Sequence, residues 1–443
     1  MALIVIGLYV LSGRAQQTRR ILACNKWIMA LLVLMAFSIL WSNFPGVSLR
    51  RGIRSIGTFV MVLMVLTESH PLEAIQVLLQ RLYLLQLPLS VVTIKYFRNI
   101  GVVYNWSGVE EQWVGLSTDK NSLGQVAMCG GLFALWGLLE SLSRRHSKRG
   151  RKDLLLNSML LGIAAWLLRG SKNVHSSTAI VGFVFCALIL ISLQFVKKRP
   201  RQAKSLVRAA LACSLLLGPL VYLWSDVIDA SPLEMVAQST GRDMTLTDRT
   251  LLWTDIWNNA MKSPVVGVGI GAFWVGPAGY DTYPLPNWSR KTPGWRPDEG
   301  HNGYLDVYVE QGISGVVFIL AIIVSSLTGA LSQLQTDFQL ASLRLVLISS
   351  IVLNNITETS FLKGTHALWF LLLLVAVNLP QAVPRRMRSK ASATPQNNRW
   401  SGETKVQSTS ARPFSGSCAD RCAVALGECG VNSHRGPLHS FSD

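Results

Sequence analysis

The sequence predicts an all-α, polytopic integral membrane protein, and three observations lead to that prediction. Hydrophobic residues make up 50% of the 443 positions, and charged residues only 15%, whereas soluble chains carry about 25% charged residues. The apolar residues form blocks close to the ~20 residues that a helix needs to cross a bilayer. A helix also satisfies its backbone hydrogen bonds internally, as the lipid interior requires.

The apolar blocks predict eleven membrane spans, the first of which is incomplete. Residues 1–11 are too few for a whole span and lack a preceding basic region, so we interpret them as the second half of a helix. An intact chain would then have twelve spans. The other spans are predicted at 21–42, 52–67, 73–94, 121–141, 154–169, 177–196, 206–226, 304–330, 340–356 and 366–380.

Lysine and arginine in short loops indicate the orientation of the spans. Loops 142–153 and 197–205 are strongly basic, which is typical of the cytoplasmic side. Alternation then places loops 95–120, 170–176 and 357–365 outside, together with the long polar interval 229–302. Arg50, Arg51 and Arg54 also fall outside, against the usual distribution of charge, so a function is expected of them.

Four regions follow from this topology. Residues 1–228 and 303–384 hold the membrane helices, and the polar interval 229–302 is predicted to be an extracytoplasmic catalytic loop. That interval carries eight acidic and six basic residues, a balance that suits the outer side. Residues 385–443 are polar and aperiodic, which predicts a disordered, basic cytoplasmic tail.

The net charge of +18 does not indicate nucleic-acid binding, because the basic residues concentrate in short loops and in the tail. The seven cysteines show no zinc-binding spacing, and several lie within apolar runs. We therefore expect no disulfide, no metal site and no cofactor.

The polar interval contains two candidate catalytic residues. Arg249 follows Thr247, a potential N-cap, in a helical pattern, and Arg242 lies shortly before it. An arginine near a helix N-terminus suits a diphosphate, although pairing with a nearby aspartate is the alternative. His301 lies where the interval meets the next span, where an imidazole titrating near pH 7 could accept a proton from a sugar hydroxyl. Asp298 and Glu299 are candidates to orient it.

Further cations at the outer ends of spans are candidate phosphate ligands. They could equally lie in the interface without a ligand. The candidates are Arg169, Lys172 and His175 around the 170–176 loop, Lys120 at the start of a span, and Arg50 and Arg51. The glycines of SPVVGVGIGAFW, at 267, 269 and 271, favour a turn that returns the interval to the membrane.

The order of these motifs resembles one family. A WSNFPGVSLRR turn precedes DKNSLG, then DRTLLW, SPVVGVGIGAFW and HNGYLDVYVEQGISG. Together they are similar to the O-antigen ligase and polymerase superfamily of bacterial membrane proteins, and within it to exopolysaccharide polymerases. The resemblance covers about residues 40–380. It implies metal-independent glycosyl transfer from an undecaprenyl-diphosphate carrier, an essential arginine at Arg249 and an essential histidine at His301.

The resemblance therefore predicts a polymerase of exopolysaccharide repeat units in the bacterial inner membrane. Its expected partners are the undecaprenyl-diphosphate-linked oligosaccharide, the lipid bilayer, and a chain-length regulator and flippase of the same pathway. A further family arginine follows a mid-chain span, and here Arg169, Lys172 and His175 all remain candidates for it. A ligase with another acceptor, or a transporter of lipid-linked polysaccharide, are the alternatives.

Overall fold

The computed structural model describes residues 2–104, 110–172, 174–195, 197, 202, 205, 245–291 and 293–380. The predicted span 206–226, the candidate Arg242 and the predicted tail 385–443 lie outside the described residues.

The described part of the chain is mostly helical. Its first helices are α1 (Ala2–Gly13), α2 (Ala15–Cys24), α3 (Lys26–Phe37), α4 (Pro45–Leu66), α5 (Pro71–Tyr96), α6 (Arg98–Gly101), α7 (Lys120–Leu142), α8 (Lys148–Arg169) and α9 (Ser177–Phe195). After the gap come α10 (Thr245–Ala260), α11 (Pro286–Lys291), α12 (Gly303–Gln333), α13 (Phe338–Asn354) and α14 (Ala367–Ala376). Strands β1 (Val102–Tyr104) and β2 (Glu111–Trp113) form a small antiparallel hairpin between α6 and α7.

Helices occupy every predicted span that falls within the described residues. Four of them, α5, α7, α9 and α12, are long and apolar enough to cross a membrane. A fifth span is obtained if the bent pair of α2 and α3 is counted as one. The prediction of a multi-helix membrane protein is therefore supported, although by length and composition fewer spans qualify than the eleven predicted.

The predicted span 21–42 is not one straight helix. The chain bends by 93° between the helix that ends at Cys24 and the one that begins at Lys26. Asn25, at the bend, is buried, and its side-chain amide donates hydrogen bonds to the carbonyls of Ile21, at 2.7 Å, and Asn378, at 2.9 Å. The hydrogen bonds at the break thus pair the buried Asn25 amide with two backbone carbonyls.

The helices pack around a large apolar core, and small residues let them approach closely. Gly131 of α7 is an example, because a side chain there would meet Phe183 of α9 and Ala164 of α8. Contacts of this kind are typical of helix packing in membranes, where lipid is as apolar as the core.

The described part of the polar interval is folded rather than extended. Helix α10 begins at Thr245, three residues earlier than a cap at Thr247 would imply, so Arg249 lies in its second turn. Leu252, Ile256, Phe273 and Trp288 form a second, smaller apolar core between α10, α11 and the turns around them. The interval therefore positions its polar residues by packing.

Helix α12 is interrupted, and the Gly-rich turn (residues 264–274) fills the interruption. Gly312 has φ 63° and ψ −168°, so the helix breaks there. Four backbone hydrogen bonds cross between turn and helix: Val268 N–H to Val309 O, Gly269 N–H to Glu310 O, Ile313 N–H to Pro264 O and Ser314 N–H to Val265 O. The turn thus pairs backbone groups that the break would otherwise leave unsatisfied.

Replacing Gly312 with alanine is expected to destabilise the protein by at least about 1–2 kcal/mol, the cost of a left-handed backbone for an L-residue. A Cβ at Gly312 would also lie 2.3 Å from the backbone of Val265, so the turn would have to move. The check is the thermal transition of the detergent-purified variant. Gly162→Ala in α8 is the matched control, because nothing lies within 4 Å of its Cβ position. Equal transitions for both variants would contradict the packing argument.

Candidate functional site

His301 lies in a strained backbone conformation at the entrance to α12. Its φ is 49°, which is rare for a residue other than glycine. The next residue, Asn302, caps the helix by accepting hydrogen bonds from the backbone N–H groups of Tyr304 and Leu305. Strain of this kind persists only where the surroundings fix it, and it concentrates at functional sites.

The 357–365 loop fixes this entrance from the other side. The backbone N–H of Asn302 donates to Thr359 Oγ1 at 3.1 Å. The N–H of Gly303 lies between the carbonyls of Asn355 and Glu358, at 2.9 and 3.1 Å. His301 is therefore held directly beside the loop that joins α13 to α14.

The imidazole of His301 lies between two carboxylates. Its Nδ1 is 3.1 Å from Glu299 Oε1 and 3.3 Å from Glu358 Oε2. Burial lowers the pKa of His301, but the hydrogen bonds to Glu299 and Glu358 outweigh it and raise the pKa to about 9. The imidazole is thus cationic at pH 7, which corrects the expectation that it titrates near neutrality. Because the carboxylates bind Nδ1, Nε2 is the nitrogen left for a substrate.

Arg249 reaches the same carboxylate from α10. Its Nη2 donates to Glu358 Oε1 at 3.1 Å, and its Nη1 donates to the carbonyl of Thr357 at 2.5 Å. Asn121 Nδ2 donates to Glu358 Oε1 at 3.0 Å as well. The Glu358 side chain is only 5% exposed. It therefore links Arg249, His301 and the start of α7 in one network.

Three helix N-termini meet at the segment Thr357–Glu358. Asn121 is the second residue of α7, and Gly303 is the first of α12. The hydroxyl of Thr178, in the first turn of α9, lies 2.6 Å from that of Thr357. Each N-terminus contributes partial positive charge from its backbone dipoles, although the first N–H groups of α7 and α12 are already capped by Asp119 and Asn302.

Lys363 completes the network. Its Nζ forms a very short ion pair with Glu299 Oε2, the oxygen that does not contact His301. Burial opposes ionisation of Glu299, but His301 and Lys363 lower its pKa to about 2. The carboxylates of Glu299 and Glu358 thus face Arg249, Lys363 and a cationic His301. Three cationic side chains thus share these two carboxylates.

Glu299, His301 and Glu358 also form a group of potential metal ligands, since one ligand atom of each lies within 4.8 Å of the others. Both carboxylates already pair with a fixed cation, Lys363 or Arg249. A divalent ion would have to displace these cations or crowd a protonated imidazole. The ion-pair network therefore accounts for the arrangement better than a metal site does.

Arg51 has a structural role that the sequence did not indicate. Its guanidinium donates two hydrogen bonds of 2.7 Å, to the carbonyls of Gly271 and Trp274 in the Gly-rich turn. The start of α4 therefore contacts the Gly-rich turn directly. Arg50 is exposed beside it.

The other candidate phosphate ligands fall into two groups. Lys120 precedes Asn121 at the start of α7, and His175 lies three residues before Thr178, so both are on chain segments that reach the network. Arg169 and Lys172 are exposed and lie at the end of α8 and in the turn that follows. That turn contacts the hairpin, through a hydrogen bond from the Ser171 hydroxyl to the carbonyl of Glu111.

Sequence reasoning missed Glu358 and Lys363. Within the 357–365 loop they are the one acidic and the one basic residue, in a stretch of nine between two apolar helices. That isolation was the available signal. Asp298, proposed to orient His301, is exposed, whereas its neighbour Glu299 makes the contact.

Comparison with known proteins bears on this geometry. Residues 158–320 match the protein family described as O-Antigen ligase. The match confirms the predicted resemblance to that superfamily, and it includes Arg249 and His301. The chain is also 25% identical, over 377 residues, to the "Exopolysaccharide production protein ExoQ" of Rhizobium meliloti (strain 1021). That alignment covers 83% of this chain and 79% of the relative.

Proposed function

We propose that the protein polymerises exopolysaccharide repeat units. It would transfer glycan from an undecaprenyl-diphosphate carrier to an acceptor sugar hydroxyl at the outer face of the bacterial inner membrane. The observation that carries the proposal is the network around Glu358, which joins Arg249 and His301 where three helices begin. The O-antigen ligase match and the similarity to an exopolysaccharide production protein support it.

The diphosphate binds at the positive end of this network. Arg249 supplies a planar, permanently charged donor, which suits phosphate oxygens. The N-termini of α7, α9 and α12 add backbone dipoles, and Lys120 and His175 lie on the adjoining segments. As the bond between the anomeric carbon and the diphosphate lengthens, the leaving oxygen gains charge. Fixed cations then stabilise the transition state more than the ground state.

His301 acts on the acceptor. The neutral form of its Nε2 takes the proton of the acceptor hydroxyl while the hydroxyl oxygen bonds to the anomeric carbon. The bond from that carbon to the diphosphate oxygen breaks, and undecaprenyl diphosphate leaves with the electron pair. The raised pKa, about 9, means that only about 1% of the free protein holds a neutral His301 at pH 7.

Positive charge for this reaction is available without a metal. Arg249, Lys363 and the helix N-termini supply it from the chain itself. We therefore propose metal-independent transfer with no cofactor. A chain-length regulator and a flippase are proposed as partners in the same membrane.

A ligase with a different acceptor is the second candidate, favoured by the description of the matched family. The two differ only in the acceptor. A polymerase uses the growing glycan again as a substrate, so its products have many different lengths. A ligase transfers the glycan once to a distinct acceptor.

Reconstitution tests the proposal. Purified protein in liposomes, given undecaprenyl-diphosphate-linked repeat units and no ion gradient, is expected to form polymer that appears as a ladder on a gel. Addition of EDTA is expected to leave the yield unchanged. Movement of intact lipid-linked units without elongation would instead identify a transporter, and a single transfer only to an added acceptor would identify a ligase.

A further inference from the structure

A cavity of ≈ 280 Å³ lies between the start of α4, the Gly-rich turn, α12 and the 357–365 loop. Its volume is near the lower end of the range for small-molecule sites. The groups that matter for its chemistry are Arg54, Trp274, Asp298, Glu310, Phe361 and Lys363.

The cavity adjoins the His301 network through two of these residues. Lys363 lines the cavity and pairs with Glu299, which in turn contacts His301. Asp298, next to Glu299 in the chain, lines the cavity too. A molecule in this cavity would therefore contact Lys363 and Asp298, which pair with and precede Glu299, the residue that contacts His301.

Glu310 provides a buried acceptor in the cavity wall. The residue is only 9% exposed, although it lines the cavity. One carboxylate oxygen, Oε2, accepts a hydrogen bond from the N–H of Gly271 at 2.9 Å. Within the described part of the chain, Oε1 makes no hydrogen bond. A carboxylate oxygen in the cavity wall can accept a hydrogen bond from a ligand hydroxyl or from water.

The composition of the wall favours hydroxyl groups over phosphate. The carboxylates of Glu310 and Asp298 accept hydrogen bonds from hydroxyls and would repel a diphosphate. Arg51 is occupied by two backbone carbonyls and Lys363 by Glu299, which leaves Arg54 as an exposed cation at the edge. Trp274 and Phe361 also border the cavity, although both side chains are largely buried.

We propose that this cavity binds the terminal sugar of the acceptor glycan, whose hydroxyls donate hydrogen bonds to Glu310 and Asp298. The inference rests on the proposed function, since it divides the transfer site into a cationic part for the donor diphosphate and a carboxylate-lined part for the acceptor.

The test measures binding without catalysis. The probe is the lipid-free oligosaccharide released from the producing strain's own exopolysaccharide, titrated calorimetrically into the purified protein. We expect Glu310→Gln and Asp298→Asn each to weaken binding about tenfold, because an amide oxygen accepts a hydrogen bond more weakly than a carboxylate does. Asp281→Asn, at an exposed acid of the same interval, is expected to retain the wild-type affinity.

If Glu310→Gln disturbs the Gly-rich turn, the affinity of Asp298→Asn still tests the proposal. Unchanged affinity in both variants, or no binding by the wild-type protein, would overturn the assignment. Competition by inorganic pyrophosphate would also overturn the assignment if Glu310→Gln changed the strength of that competition. Phosphate would then occupy the cavity. Binding that behaves as expected, with no polymer formed on reconstitution, would refute the proposed function and leave a sugar site.

Discussion

Replacing Arg249 with alanine is expected to slow glycan transfer by about 10²–10³-fold, the loss typical when one fixed donor to a developing charge is removed. Arg249 contacts the segment Thr357–Glu358, which lies where α7, α9 and α12 begin. The alanine variant also leaves Glu358, 5% exposed, without its arginine partner. The measurement is the initial rate of polymer formation by the reconstituted protein, with insertion verified by purification yield.

Arg290→Ala is the matched control, because Arg290 is an exposed arginine of the same polar interval. It is expected to keep the wild-type rate. Arg249→Lys separates charge from geometry: lysine keeps the charge but loses the planar, two-point contact with Thr357 and Glu358. A wild-type rate in Arg249→Ala would remove the arginine from the transfer site.

Glu358→Gln alters the contact between Arg249 and Glu358 from the side of the carboxylate. The amide keeps the size of the side chain but weakens the attachment of Arg249, Asn121 and His301 at once. Because Arg249 and Glu358 touch, the two substitutions are expected to be non-additive. Additive losses would indicate that Glu358 acts apart from Arg249.

The architecture of the membrane part could be read from composition, because long apolar runs have few alternatives to helices. Within the described residues, helices appear where the apolar runs predict them. The 93° bend at Asn25 and the break at Gly312 could not be read in this way. Both depend on distant partners: Asn378 at the first, and the Gly-rich turn at the second.

The candidate site shows the same division. Arg249 and His301 could be selected because their residue types and their resemblance to a known family marked them. Glu358 could not, since it contacts Arg249 across 109 residues and His301 across 57. No local periodicity encodes such pairings. The raised pKa of His301 could not be predicted from local sequence either, because the two carboxylates that raise it come from different segments.

The rate of glycan transfer is expected to rise with pH between 7 and 9, approaching tenfold per pH unit, and to level off above about 9. The reason is the pKa of His301, raised to about 9 by Glu299 and Glu358 although burial opposes the rise. The proposed mechanism requires the neutral imidazole, whose population grows as pH approaches that pKa. The measurement is the initial rate of the reconstituted protein at saturating acceptor and limiting donor.

Glu299→Gln should move this rise to lower pH. The substitution removes a negative charge 3.1 Å from Nδ1, so the imidazolium loses stabilisation and the pKa of His301 falls. At pH 7 more of the protein then carries a neutral His301, while Lys363 loses its partner. A shift of the profile, independent of any change in its plateau, reports the electrostatic effect and separates it from misplacement of the ring.

His301→Ala is expected to lower the plateau by about 10²–10⁴-fold, the usual contribution of a general base, and to abolish the rise itself. Asp281→Asn, on the same interval but exposed, should keep the wild-type profile. A wild-type rate that stays level from pH 7 and falls above 9 would show that the imidazolium is the active form. The proton of the acceptor would then have to leave with the diphosphate, and His301 would join Arg249 as a cation for the donor.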